Sequence, residues 1–117
     1  MAFPKVLMIP VLLVTSACGQ ASAATIDPSQ DLDCSVLSVF MKELGTKVDA
    51  DPKQKRALAV VHKWYVERTQ PTFQELGEEA FRAKISPIYE AAKRETIRTA
   101  TEKHMICAKR AVDEGLR

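Results

Sequence analysis

Only two cysteines, Cys34 and Cys107, follow the apolar leader of this 117-residue chain, and they lie near opposite ends of what remains. A bridge between them encloses 72 residues, so a fold that permits it must bring its last element back to the start of its first. The leader makes that bridge chemically reasonable. Lys5 precedes an apolar run from Val6 to Val14, and small residues follow through Ala24, which is the order of charge, apolar core and cleavage site in a secretory signal. Export delivers the chain to an oxidising compartment where a disulfide persists. In the chain-entropy account a loop of that length contributes about 4 kcal/mol. A redox pair is the rival reading, yet catalytic dithiols sit close in sequence and in exposed electropositive settings. Free or intermolecular thiols are the remaining alternative.

The end of the leader decides the fate of Cys18. Ala21-Ser22-Ala23 fits the small-x-small rule and places a cut before Ala24, or one residue later. Residues 1–23 are then the signal peptide, and Cys18 is discarded with them. The other reading takes Thr15-Ser16-Ala17-Cys18 as a lipoprotein box that lipidates Cys18 and anchors the chain to a membrane, although Thr15 replaces the usual Leu or Val. Either way the apolar run is too short, and too soon broken by Pro10, to remain as a transmembrane span.

Removing the first 23 of 117 residues leaves 94, enough for one modest core and too few for two. We expect a flexible segment over 24–30 and a single helical domain over 31–117. Of the 17 basic and 15 acidic residues only Lys5 lies in the leader, and the rest are interspersed, with no basic face that calls for nucleic acid. Cys34, Leu37, Phe40, Met41, Leu44 and Val48 recur at helical spacing from about Asp31, and Gly45 reads as the stop. Asp51-Pro52 is a cap followed by proline at the first helical position, and Ala57, Leu58, Val61, Trp64 and Tyr65 make the second stripe, ending near Thr69 before Pro71. Thr72 with Glu75 has capping-box spacing; Phe73, Leu76, Ala80, Phe81 and Ile85 continue a third helix that Gly77 bends or breaks. Ser86-Pro87 repeats the cap-then-proline signal and opens a fourth helix from Ile88 to about Glu114, with a stripe of Ile97, Ala100, His104, Ala108 and Ala111 beside Cys107. The expectation is an all-α fold, a small antiparallel bundle of about four helices tied by one disulfide. An up-down-up-down order puts Cys34 and Cys107 at the same end.

Few residues offer chemistry. His62 and His104 alone titrate near neutrality. His104 sits in an apolar stripe as a speculative polar core site, where backbone or a neighbouring carboxylate is expected to satisfy it; His62 falls to the side of its stripe, half-exposed. No His-x-x-x-His, Glu-x-x-His or cysteine cluster suggests a metal, and no cofactor is expected. Trp64 and Tyr65 fit the core stripe better than a stacking patch. Alternating charges from Glu90 to Arg98 read as a solvated face. No Gly-x-Ser-x-Gly elbow is present, and neither Ser35 nor Ser38 has a base identifiable in the sequence.

The leader, Asp-Leu-Asp-Cys at 31–34 opening a helix, the aromatic pair in the Gln54–Glu67 helix and the lone Cys107 together resemble small uncharacterised exported helical proteins of Gram-negative bacteria. The resemblance implies a periplasmic or secreted helical domain and brings no activity with it. The outline is also similar in architecture to periplasmic acid-stress chaperones. Three readings follow: a non-catalytic binding or interaction module whose partner is a protein or envelope component, an acid-responsive chaperone, and a small hydrolase or redox enzyme using His104 or the cysteines. The first is preferred because no catalytic motif was found.

Overall fold

The computed structural model describes residues 25–116. The expected signal peptide and Cys18 lie outside them. Four helices follow in order: α1 Asp31–Lys47, α2 Pro52–Leu76, α3 Glu78–Arg94 and α4 Ile97–Asp113. The fold is all-α, with no strand among the described residues.

Helix α1 is the hub and packs against each of the others. Along it Cys34, Ser38, Met41 and Gly45 recur at alternating spacings of four and three, which holds one face inward, and all four are buried. Leu58 of α2 reaches Gly45 and His62 reaches Ser38, so α2 runs antiparallel to α1. Helix α3 runs alongside α1: Phe81 lies beside Ser35, and the Tyr89 ring sits 4.8 Å from that of Phe40. In α4 the direction reverses again, His104 lying beside Met41 and Cys107 joined to Cys34. The order is up-down-up-down.

Several boundaries differ from the sequence reading. Gly45 does not end α1. It is buried inside the helix, where an added Cβ would meet Leu58 Cδ1 at 2.8 Å, so it permits close approach of α2. The true stop is Asp49, at φ 54°: the amide N–H groups of Asp49 and Ala50 donate to the carbonyls of Thr46 and Gly45, the paired bonds of a Schellman motif. Val48, read as part of the stripe, is exposed.

Asp51 caps α2 as expected, accepting from the Gln54 N–H at 2.9 Å. The helix then continues through Pro71 to Leu76, so Thr72 is not a cap. Likewise α3 passes through Pro87, and Ser86-Pro87 opens no helix. An interior proline removes one backbone bond and crowds the carbonyl four residues earlier. Here both prolines, and Glu67 and Ala83 whose carbonyls lose their partners, are exposed, so water can satisfy the freed groups. The chain turns instead at Gly77, whose φ of 88° no side chain adopts easily. Phe73 and Phe81 pack edge to face across this joint, 5.2 Å apart. The fourth helix starts at Ile97, capped by Thr96 Oγ1 accepting from the Thr99 N–H at 3.1 Å, and Ile97 itself is exposed.

Residues 25–30, expected as a flexible lead-in, pack onto the bundle. Ile26 is buried, the Asp27 N–H donates to Asp33 Oδ2 at 2.7 Å, and the Pro28 carbonyl accepts from Arg110 at 3.0 Å. Burial raises the Asp33 carboxyl above its usual value against the opposing pull of that N–H.

Candidate functional site

The disulfide end is built from α1, α2 and α4. Cys34 and Cys107 have Cα atoms 5.7 Å apart and no solvent exposure. The Tyr65 hydroxyl, on a ring that is also sealed, donates to the Cys107 carbonyl at 2.6 Å. Arg110 donates to Asp31 at 2.7 Å and lies over the Tyr65 ring. Arg68 pairs with Asp31 at 3.3 Å and with Glu114 at 3.0 Å, and stacks over Trp64. The Asp31 hydrogen bond raises the Arg110 pKa further. Thiol exchange needs an attacking thiolate to reach sulfur, and the sulfurs are sealed, with Arg110 and the Pro28 carbonyl against Cys34 Sγ.

The histidines stand elsewhere, one on each side of the α1–α2 pair. His62 Nδ1 is 2.9 Å from Ser38 Oγ, a partner the sequence did not disclose for either serine. Ser38 has one hydroxyl proton and its oxygen lies 2.8 Å from the Ser35 carbonyl, which can only accept. The proton therefore goes to Ser35, Nδ1–H donates to Ser38, and neutral His62 presents Nε2 as an acceptor. Ser38 is completely buried, so this serine–histidine pair cannot offer its oxygen to a substrate. The His62 ring lines a cavity of about 270 Å³ with Val39, Val66, Phe81, Ile85 and Tyr89. A second cavity of about 170 Å³, sharing Ser35, Val66 and Phe81, continues it towards Phe73. Burial, then the like charge of Lys42, lowers the His62 pKa.

On the other side, a groove of about 330 Å³ between α1, α2 and α4 is lined by Met41, Leu58, Val61, Met105 and Ala108, with His104 among them. His104 is 6% exposed, and its buried Nε2 has no hydrogen-bond partner. The expected backbone or carboxylate partner is absent because His104 lies mid-helix, where neighbouring carbonyls serve the helix ladder, and the ring projects among apolar side chains. Burial lowers its pKa.

Tyr65 is core, as its stripe position implies, and Trp64 is half-buried with an unpartnered Nε1. The Glu90–Arg98 stretch divides: Lys93 pairs with Glu90 on the surface, whereas Glu95 folds inward to Lys103 at 3.0 Å. No three His, Cys, Asp or Glu side chains converge as a metal site among the described residues. No helix among them is long and apolar enough to cross a membrane.

The chain matches no protein-family model, no curated protein and no solved structure.

Proposed function

We propose that this chain is a non-catalytic binding module of the periplasm or cell exterior, with the apolar grooves beside α1 and α2 as its ligand-holding surfaces. The observation that carries this reading is that each of the two histidines lines a mainly apolar groove. Largely apolar concavities with a few oriented polar groups are the usual form of a small-molecule site. The groups a hydrolase would use are badly placed, because the serine oxygen bonded to His62 belongs to sealed Ser38. Nile red should bind saturably at neutral pH. Phe81→Asp should remove the signal from the His62 groove and Met105→Asp that from the His104 groove, with helix content unchanged by circular dichroism. Absence of saturable binding to the parent protein would end this reading.

A second reading, an acid-responsive chaperone, is favoured by the two histidines whose pKa values burial lowers. As pH falls through the unfolded value of 6.5, the unfolded chain takes up protons that the folded chain refuses, so stability falls with pH until the depressed folded values are reached. Asp33, raised by burial, acts in the opposite sense in the carboxylate range. His104→Leu removes a buried orphan nitrogen and should stabilise the fold at neutral pH by about 1 kcal/mol while flattening the acid slope. Urea titrations across this range measure both effects. The chaperone reading also requires that the parent suppress client aggregation in mild acid, and that the variant do so less well.

A further inference from the structure

We propose that the groove lined by His62 holds the alkyl chain of a free single-chain carboxylic acid, with its head group between Lys42 and His62 Nε2. This rests on the groove-binding reading and names its ligand class.

The walls suit a hydrocarbon. Val39, Val66, Phe81 and Ile85 line the two adjoining cavities. The eight-residue step along α3 from Phe81 to Tyr89 spans about 12 Å, so the trough takes a medium-length alkyl chain. Cavities of 270 and 170 Å³ are on the scale of a small ligand, whereas a stable protein partner needs a surface of about 800 Å² on each side.

The one lining side chain that titrates near neutrality, His62, stands at one end, and the uncharged Thr69 and Gln70 line the other. Residues 62 and 73 lie about 16 Å apart along α2, with His62 at one end of the groove and Phe73 at the other. Around it Lys63 is matched by Glu67, Arg82 by Glu78 and Lys93 by Glu90. Lys42 stands one helical turn along α1 from Ser38, the partner of His62, which places its charge near the ring, and no carboxylate of the described residues pairs with it. An anionic head placed there answers an uncompensated cation, while the chain covers exposed carbon.

The protons also balance. Nδ1–H is committed to Ser38, so the neutral ring turns a lone pair towards the ligand. A carboxylate and that lone pair repel unless one proton lies between them. Binding therefore takes up one proton from solvent, shared by the carboxyl oxygen and Nε2. The other polar groups lining this part of the groove are Ser35 of α1 and Tyr89 of α3; Lys93, over the Tyr89 ring, is paired with Glu90, so Lys42 is the unpaired cation that sets the field.

The test is isothermal titration of the chain lacking its leader with decanoate, decanol and decyltrimethylammonium, each kept monomeric. Decanoate should bind at least tenfold more tightly than the cationic analogue, since one unit charge a few ångströms away near a protein surface is worth that factor or more. Lys42→Gln should weaken decanoate by about tenfold and leave decanol unchanged. Repeating the decanoate titration in buffers of different ionisation enthalpy should show proton uptake. Equal affinities for the three probes, or a Lys42→Gln effect no larger for decanoate than for decanol, overturn the head-group assignment while leaving an apolar groove. Binding of none overturns the groove reading as well. A dimer by sedimentation that Phe81→Asp dissociates would make a second copy of the chain the occupant, and would also overturn the proposal.

Discussion

Replacing Cys34 and Cys107 together by serine is expected to lower the free energy of unfolding by about 4 kcal/mol. The magnitude comes from the loop. The bridge spans a sequence separation of 73, and opening it returns to the unfolded chain nearly all the freedom of the described domain. Domains of this kind are stable by about 5 to 15 kcal/mol in total, so the loss is large enough to leave a substantial unfolded fraction. The native helices meet elsewhere through Leu37, Met41, Val61 and Ala92, and the variant should remain helical when folded. Urea unfolding of the parent, the double serine variant and the reduced parent measures the effect. A loss below about 1 kcal/mol would show that the unfolded chain is already compact, because the entropic gain needs an expanded reference state.

The bundle was legible because its largest signals are periodic. Spacings of three and four marked α1 and α2, short links favoured antiparallel neighbours, and the two distant cysteines agreed with an order that returns α4 to the start of α1. The joints were less legible. A proline after a serine reads as a helix start when the missing N–H is one that the first turn leaves unpaired. The same proline is tolerated inside α3 because residues 83 and 87 are exposed, and exposure follows from tertiary packing. Gly45 shows the same ambiguity, since local rules make it a stop while packing uses it to admit Leu58.

The sites divide in the same way. Cys34, Cys107, Tyr65 and His104 lie on or beside core stripes, and their burial could be read from spacing. The bond between Ser38 and His62 joins residues 24 apart and depends on the register of α1 against α2. One signal was available: Ser38 shares the stripe of Cys34, Met41 and Gly45, and a hydroxyl on a core stripe must find a partner. Its partner on α2 is fixed only when Leu58 seats against Gly45. That register leaves Nε2 as the remaining polar edge of His62, on which the proposed ligand site depends.

Tyr65→Ala is expected to cost about 3 to 5 kcal/mol, the usual range for truncating a buried aromatic residue. Tyr65 is among the largest sealed side chains of the described core, and its ring is packed between the disulfide end and the Arg110 guanidinium. Tyr65→Phe should cost only about 1 kcal/mol, because the Cys107 carbonyl remains within a helix and loses just the additional hydroxyl bond. Burial raises the Tyr65 pKa, which favours the neutral hydroxyl that donates this bond. Because that hydroxyl touches the residue the disulfide anchors, the two contributions should couple. Combining Tyr65→Ala with loss of the bridge risks removing the fold altogether, so the cycle is built with Tyr65→Phe and the double serine variant. The hydroxyl holds α2 against α4 only while Cys107 is fixed over it, so its contribution should shrink by about 0.5 kcal/mol or more once the bridge is gone. Additive losses would mean that the α2–α4 contact keeps its register without the disulfide, and that the bridge acts through the unfolded chain alone.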